Sequence, residues 1–247
     1  MVLSYEELER YSRQISIKQF GSEAQFRLKQ AKVAVFGVGG VGCVAALYLA
    51  AAGVGNLILV DQDVVDVHNL NRQVIYHNGE IGRLKAELAV KHLKELNPFL
   101  KIMAVAQRVG QDDICSIVNK GCSFVIDAFD CVSDRLIINR SCIEGNVTAA
   151  HGFVQELSGE VIIVQPKVSP CLHCILDPEQ EEPAQVPVLG TAAGVIGIQL
   201  ANAAIKFLSG YGQVQAGYRM IWDLAFDQFM SFKIDHRPHC PVCGSHK

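Results

Sequence analysis

Several things are missing from this sequence, and each absence excludes something. The chain has little excess of charge, −3 overall with a pI near 6.2, so nothing in its balance attracts a polyanion. Nucleic acid is therefore not an expected partner. No run of about 18 uninterrupted apolar residues occurs, and the start MVLSYEELERYSRQ has neither the charged opening nor the apolar stretch of an export signal. The expectation is a soluble cytoplasmic protein with no membrane association. There is no internal repeat and no low-complexity tract, which excludes a solenoid. No set of nucleophile, base and orienting residue stands out either.

What is present suits a globular α/β chain. With 247 residues, half of them hydrophobic, the chain can bury a full core. Nine cysteines, an odd number, are spread along the sequence, and four fall in two CxxC pairs. That usage fits a reducing compartment with a metal better than a disulfide framework.

Ser4 and Glu7 have capping-box spacing, so a helix should open near Ser4 and carry Arg10 and Arg13 about one turn apart, as a helical arm over residues 1–30. From Lys32 the pattern becomes strand KVAVF, a glycine cluster, an Ala-rich helix over residues 43–52 and strand LILVD. Helix GRLKAELAVKHLKEL follows and stops at Asn97 and Pro98, then come strands IMAVA and FVIDAF, the latter ending at Asp130. The alternation predicts a Rossmann-like doubly wound sheet, mainly parallel. VTAAHGFV and EVIIVQP, separated by ELSG, predict a hairpin that brings antiparallel strands into the second half. Residues 177–190 read as a mobile loop, followed by a small-residue helix over about residues 192–208, strands RMIWDL and QFMSFKI, and a polar tail. The organisation expected is one domain over 1–247, with a nucleotide-binding half at 31–145 and a half for partner binding and zinc at 146–247.

Gly37, Gly39 and Gly42 make GxGxxG between a strand and a helix, where missing side chains let backbone N–H groups approach phosphate. Asp61 ends the second strand, where a carboxylate can accept bonds from ribose hydroxyls. An NAD-dependent oxidoreductase is one reading of these two features. The additional Gly40, the nearby Asp63 and the polar run HNLNRQ point instead to phosphoryl or nucleotidyl transfer, with Asn69 orienting and Arg72 and Lys85 neutralising phosphate oxygens. Alone, Arg72 and Lys85 would be ordinary surface charges. Asp127 and Asp130 flank the end of an apolar strand; Asp130 suits a magnesium ion, while either Asp can equally cap the next segment, where Asp134 and Arg135 are also placed to pair.

Cys171 and Cys174, then Cys240 and Cys243, are separated by 65 residues and supply four thiolates for tetrahedral zinc, a closed site that would tie the tail to the body. Two redox pairs are the alternative. His68, His151, His173 and His239 are read as ordinary histidines, although His173 and His239 each sit close enough to a CxxC pair to replace a cysteine. Cys43, Cys115, Cys122, Cys131 and Cys142 are read as small core residues.

In order, RYSRQ, GVGGVG, DQDVVDVHNLNRQ, GRLKAE, DAFD, CLHC and CPVC resemble the ubiquitin-activating-enzyme-like adenylyltransferases of the MoeB, ThiF and HesA type, over nearly the whole chain. The resemblance implies a homodimer binding ATP and Mg2+ beside the C-terminal Gly-Gly of a ubiquitin-like sulfur-carrier protein, whose carboxylate is adenylated. It implies nucleotide contacts from Gly40, Asp61, Asn69, Arg72, Lys85 and Asp130, an Arg13 that reaches the neighbouring subunit's site, and zinc on the four paired cysteines. Two departures stand out. Residues 175–239 contain no cysteine, with Gln185 near the place where some members carry one, so adenylation without an enzyme thioester is expected. Cys131 replaces the usual Asn, which leaves open a specialised member or a non-catalytic scaffold of the same fold.

Overall fold

The computed structural model describes residues 2–176 and 186–244. Among them, one eight-stranded sheet runs in the order β3-β2-β1-β4-β5-β6-β7-β8. Strands β1 (Lys32–Phe36), β2 (Asn56–Val60), β3 (Lys101–Val105), β4 (Phe124–Asp127) and β5 (Ala149–Gln155) pair in parallel. From β5 onward, β6 (Ser158–Val164), β7 (Tyr218–Asp223) and β8 (Gln228–Lys233) pair antiparallel. This is the mixed, Rossmann-like sheet that the alternating pattern predicts. The parallel strands read as continuous apolar runs because both faces are covered: four of the five residues of β1, and likewise of β2, are fully buried.

The connections carry α4 (Gly40–Ala52), α5 (Lys85–Leu96), α6 (Gln111–Asn119) and α7 (Val132–Glu144). α8 (Gly190–Ser209) is long and apolar enough to cross a membrane by length and composition, yet it packs against α4, β4, β5 and β6. Its small residues allow the approach: a Cβ on Gly197 would lie 2.5 Å from the Val41 carbonyl oxygen. Leu49, Leu200 and Ile196 are buried in the layer this creates, each contributing about 1.5–3 kcal/mol.

The N-terminal residues form three helices, α1 (Tyr5–Arg10), α2 (Ser12–Ile15) and α3 (Gly21–Gln30). The capping box is present, with Glu7 N donating to Ser4 Oγ and Ser4 N to Glu7 Oε2. The single helix expected there is interrupted at Tyr11, whose buried side chain takes a hydrogen bond from Asn97 Nδ2 at 2.8 Å. Gly53 makes room for that ring, since a Cβ would stand 2.5 Å from Tyr11 Cζ. These helices lie along the C-terminal end of α4, where Gln14 and Gln25 both donate to the Ala52 carbonyl.

Three of the boundaries that differ from the sequence reading bear on the site. α4 starts at Gly40 rather than at residue 43, so the glycine cluster supplies its first turn. α5 starts at Lys85, after Gly82 takes a left-handed φ of 85°. β4 ends at Asp127, not Asp130, because Asp127 Oδ1 accepts from Phe129 N and turns the chain out of the sheet. The expected mobile loop, with Gln185, lies largely outside the described residues; Pro187 and Leu189 beyond it bond to Glu156 at the β5–β6 turn.

Candidate active site

The sheet order reverses between β1 and β4: the chain leaves β1 toward β2 on one side, and β4 lies on the other. Ligands bind in α/β sheets at such a switch point, beyond the C-terminal strand ends. Phe36 is level with Val60 on one neighbour and Asp127 on the other, so the segments starting at Gly37, Asp61 and Ala128 leave the sheet together.

The glycines are required by close approach. A Cβ on Gly42 would stand 1.8 Å from the Gly37 carbonyl oxygen, and one on Gly37, whose φ is 86°, would stand 2.7 Å from the Ala128 oxygen. The loop thus folds tightly against its own helix and against the end of β4. Gly39 is the N-cap of α4 and has no side chain to bond the first-turn N–H groups, which remain available to an anion. Gly40 borders Ala193 of α8 and the stem of Arg72, each 3.2 Å from where a Cβ would be. Arg72 therefore lies along the loop, its Nη1 donating to the His68 carbonyl and to Asn71 Oδ1.

Asp61 is buried, with Oδ2 accepting from Val38 N at 2.8 Å and Oδ1 from Asp63 N at 2.9 Å. Burial pushes its carboxyl up, against the pull of those two N–H groups. Asp61 holds the glycine loop in place while each oxygen keeps acceptor capacity. Lys85, buried at the start of α5, bonds Asp63 Oδ2 at 3.0 Å, and its backbone N–H donates to the Asp63 carbonyl. Asn69 is buried and accepts from Asp66 N at 3.1 Å, closing the turn that sets up Arg72.

Asp130 is exposed three residues past the end of β4, and Cys131, half-buried, caps α7 with its sulfur 3.0 Å from Ser133 Oγ. The cleft thus brings together Gly37, Gly39, Gly40, Gly42, Asp61, Asp63, Asn69, Arg72 and Lys85, with Asp130 and Cys131 on the adjoining loop.

Two candidates stand elsewhere. Arg13, on α2, is exposed beside the far end of α4. The 13 residues of that helix separate it from the glycine loop by about 20 Å, beyond the reach of one side chain. Asp127 does not face the cleft but is wholly buried. Its Oδ2 meets His151 Nδ1 at 2.8 Å and Arg135 Nη1 at 3.3 Å. Burial would raise its carboxyl, but Arg135 and His151 outweigh this and hold it below the usual carboxylate range. Arg135 also donates to the Gly152 carbonyl and stacks on Phe153, so the group is a structural bolt between β4, β5 and α7.

Two residues without an individual role in the sequence reading line the cleft, Tyr76 and Gln73, the latter closing the run HNLNRQ. Tyr76 is buried and donates to the carbonyls of Val38 at 2.9 Å and Lys85 at 3.3 Å, joining the loop to α5. Gln73 is buried with its amide against Gly39, and its Oε1 has no hydrogen-bond partner within the chain. Such an atom is costly unless a bound group satisfies it. A stripped helix N-terminus, a carboxylate at a strand end, two cations and an unsatisfied amide fit a nucleotide.

The four paired cysteines converge beyond β6. Cys171 and Cys240 sulfurs are 3.7 Å apart, Cys174 and Cys243 sulfurs 3.4 Å apart, and all four lie within 4.8 Å of one another. These separations are far longer than a disulfide and close to the roughly 3.8 Å edge of a tetrahedron of zinc–sulfur bonds. Burial pushes the Cys171 thiol up to about 11, whereas at Cys240 burial is outweighed by hydrogen bonds from its neighbours, which bring it down to about 7. Asn139 of α7 secures this corner, its Oδ1 accepting from Leu172 N and its amide bonding His173 Nδ1. His173 is thereby occupied, and the cluster consists of the cysteines alone.

Comparison with known proteins agrees with this geometry. Residues 11–242 match the ThiF family. The molybdopterin-synthase adenylyltransferase of Salmonella typhimurium is 37% identical over 98% of this chain and 98% of its own. The SAMP-activating enzyme E1 of Haloferax volcanii is 36% identical over 96% and 89%, and the sulfur carrier protein adenylyltransferase of Thermus thermophilus 34% over 97% and 92%. Among solved structures, Escherichia coli MccB with ATP superposes with a TM-score of 0.83 at 22% identity, over 95% of this chain and 73% of that one. Fold, cleft and sequence together make this chain a member of the ThiF family, similar in sequence to relatives named as adenylyltransferases and as a SAMP-activating enzyme.

Proposed function

We propose that the protein is an ATP-dependent adenylyltransferase that converts the C-terminal glycine carboxylate of a ubiquitin-like sulfur-carrier protein into an acyl-adenylate and releases pyrophosphate. The observation that carries this reading is the convergence of the open N-terminus of α4, Arg72 laid along Gly40 and the buried Lys85 on one switch-point cleft. The relatives' names supply the class of acceptor.

The nucleophile is a carboxylate, ionised at neutral pH, so no general base is needed. One oxygen attacks the α-phosphorus, an O–P bond forms, and the bond to the β-phosphate oxygen breaks with pyrophosphate taking the electron pair. The obstacle is charge, an anion approaching a polyanion. Lys85, oriented in advance by Asp63, and Arg72 neutralise it, while the N–H groups of the glycine loop position the phosphates. Asp61 and Asn69 set the nucleoside end, and Gln73 bonds the nucleotide through its unsatisfied oxygen. Asp130 would hold magnesium, which would offset charge on the leaving group. The exposed Arg13 cannot serve its own chain's cleft and fits a role in the cleft of a second copy, which calls for a homodimer. Residues 31–145 bind the nucleotide and residues 146–247 the carrier; the four thiolates hold structural zinc. Without a cysteine in residues 175–239, the adenylate is the end product on the enzyme.

Incubation with ATP, magnesium and carriers ending in Gly-Gly, read by intact mass spectrometry, should show a carrier heavier by one AMP. Binding of NADH with none of ATP would overturn the assignment in favour of an oxidoreductase.

A further inference from the structure

The crossover between Arg72 and Lys85 carries a cluster that the adenylation chemistry does not use. A short 3-10 turn at Asn78–Glu80 is capped by His77, and His77 N donates to Glu80 Oε2 at 3.0 Å. The other oxygen, Glu80 Oε1, lies 2.8 Å from His92 Nε2, one turn before the end of α5. The His77 ring stands edge-on to His92, centroids 5.0 Å apart. One nitrogen of each imidazole and one Glu80 oxygen all fall within 4.8 Å of one another. Behind His92, its Nδ1 is 3.8 Å from Glu95 Oε2. Glu80 is buried and His92 nearly so, whereas His77 is exposed, so the cluster is walled on one side and open to water on the other.

Two imidazoles and a carboxylate are the donor set of borderline divalent transition metals, zinc foremost, and not of magnesium or calcium, which take oxygen. Metal–ligand bonds of about 2.0–2.2 Å put donors roughly 3.3–3.6 Å apart in a tetrahedron. The Glu80–His92 contact need open by only about half an ångström, and the remaining pairs close through side-chain rotation. A carboxylate on the rear nitrogen of a ligating histidine is the usual outer partner that fixes its tautomer, and Glu95 is placed for it. An ion pair between Glu80 and His92 would need neither His77 above it nor Glu95 behind.

We propose that His77, Glu80 and His92 form a second divalent-metal site, separate from the four cysteines, with Glu95 positioning His92 and the remaining coordination position open to water. Its bound ion joins the crossover that carries Arg72 to the helix that begins with Lys85. The site stands on these residues alone and does not depend on the reaction proposed above.

The test is metal stoichiometry on the full chain. Protein loaded at its thiolates is dialysed against micromolar Zn2+ and counted by elemental mass spectrometry. Two zinc ions per wild-type chain are expected, and one in His92→Ala, Glu80→Gln and His77→Ala. Glu95→Gln should weaken the second equivalent by about 10-fold. Co2+ added to wild type holding zinc at its thiolates only should give ligand-field bands without thiolate charge transfer, and none in His92→Ala. Because His77 is exposed, His77→Ala keeps the test readable if a buried variant fails to fold. One zinc per wild-type chain at saturation, or a second equivalent that survives all three substitutions, would overturn the proposal.

Discussion

At the end of β1 the cleft is assembled from groups already bonded to one another, Asp61 to the loop N–H of Val38, Tyr76 to two carbonyls and Lys85 to Asp63. Beyond β6 the chain instead draws four thiols into one another's contact distance, where their ionised forms repel. The parallel half thus preorganises for a ligand that comes and goes, and charges that would cost energy unpaired are paired within the protein. With zinc on the four thiolates, as proposed, the antiparallel half would have its charge balanced by a resident ion, which would make metal affinity part of folding. Removing a phosphate-facing side chain should therefore cost function in the first region without loss of fold, and removing the ion should cost fold in the second without loss of the cleft.

The largest expected effect tests how rigid the parallel half is. Gly42→Ala puts a methyl 1.8 Å from the Gly37 oxygen, a backbone atom that cannot step aside. Nucleotide binding should be abolished and stability should fall by about 3 kcal/mol or more, measured by calorimetric titration and urea unfolding. Next is the bolt that ties β4, β5 and α7 together. Asp127→Asn leaves Arg135 and His151 buried without their anion, which should cost about 3–5 kcal/mol. Its pH signature follows from the depressed carboxyl of the folded state. The stabilisation is complete above the ordinary value of 3.8 and lost as pH falls through the lower folded value, so urea midpoints taken between about pH 5 and about pH 2 should drop more steeply in wild type than in Asp127→Asn.

The next pair separates the regions. Lys85→Ala should lower kcat by about 10²–10³ with little change in Tm, because its partner Asp63 is largely exposed and is not stranded in the interior. Removing zinc with a chelator should do the reverse. Tm should fall by roughly 10 °C, equivalent to about 3 kcal/mol for a chain of this size, while the Kd for ATP measured below the transition stays the same. A chelated protein that loses ATP binding while still folded would dissolve the distinction between the two halves.

The parallel core and the glycine loop were legible in the sequence because both rest on local rules: apolar strands bounded by turns, and glycines at fixed offsets between strand and helix. The cysteine cluster was legible because CxxC spacing is itself metal geometry. Which way Asp127 faces was not legible, because a carboxylate at a strand end looks the same whether it faces a cleft or the interior, and only the pairing of β4 with β5 sets His151 beside it. Gln73 and Tyr76 left no signal beyond polarity, since their importance comes from what the loop does 38 residues away from Tyr76. The break at Tyr11 was hidden likewise, because Asn97, which donates to its hydroxyl, is 86 residues distant.

The account rests on carrier adenylation at the β1–β4 cleft. Exchange of labelled pyrophosphate into ATP measures that step directly, and it should appear only when a carrier ending in Gly-Gly is present and vanish in Asp130→Ala. Exchange that is absent with every such carrier, or that proceeds at full rate in Asp130→Ala, would contradict it.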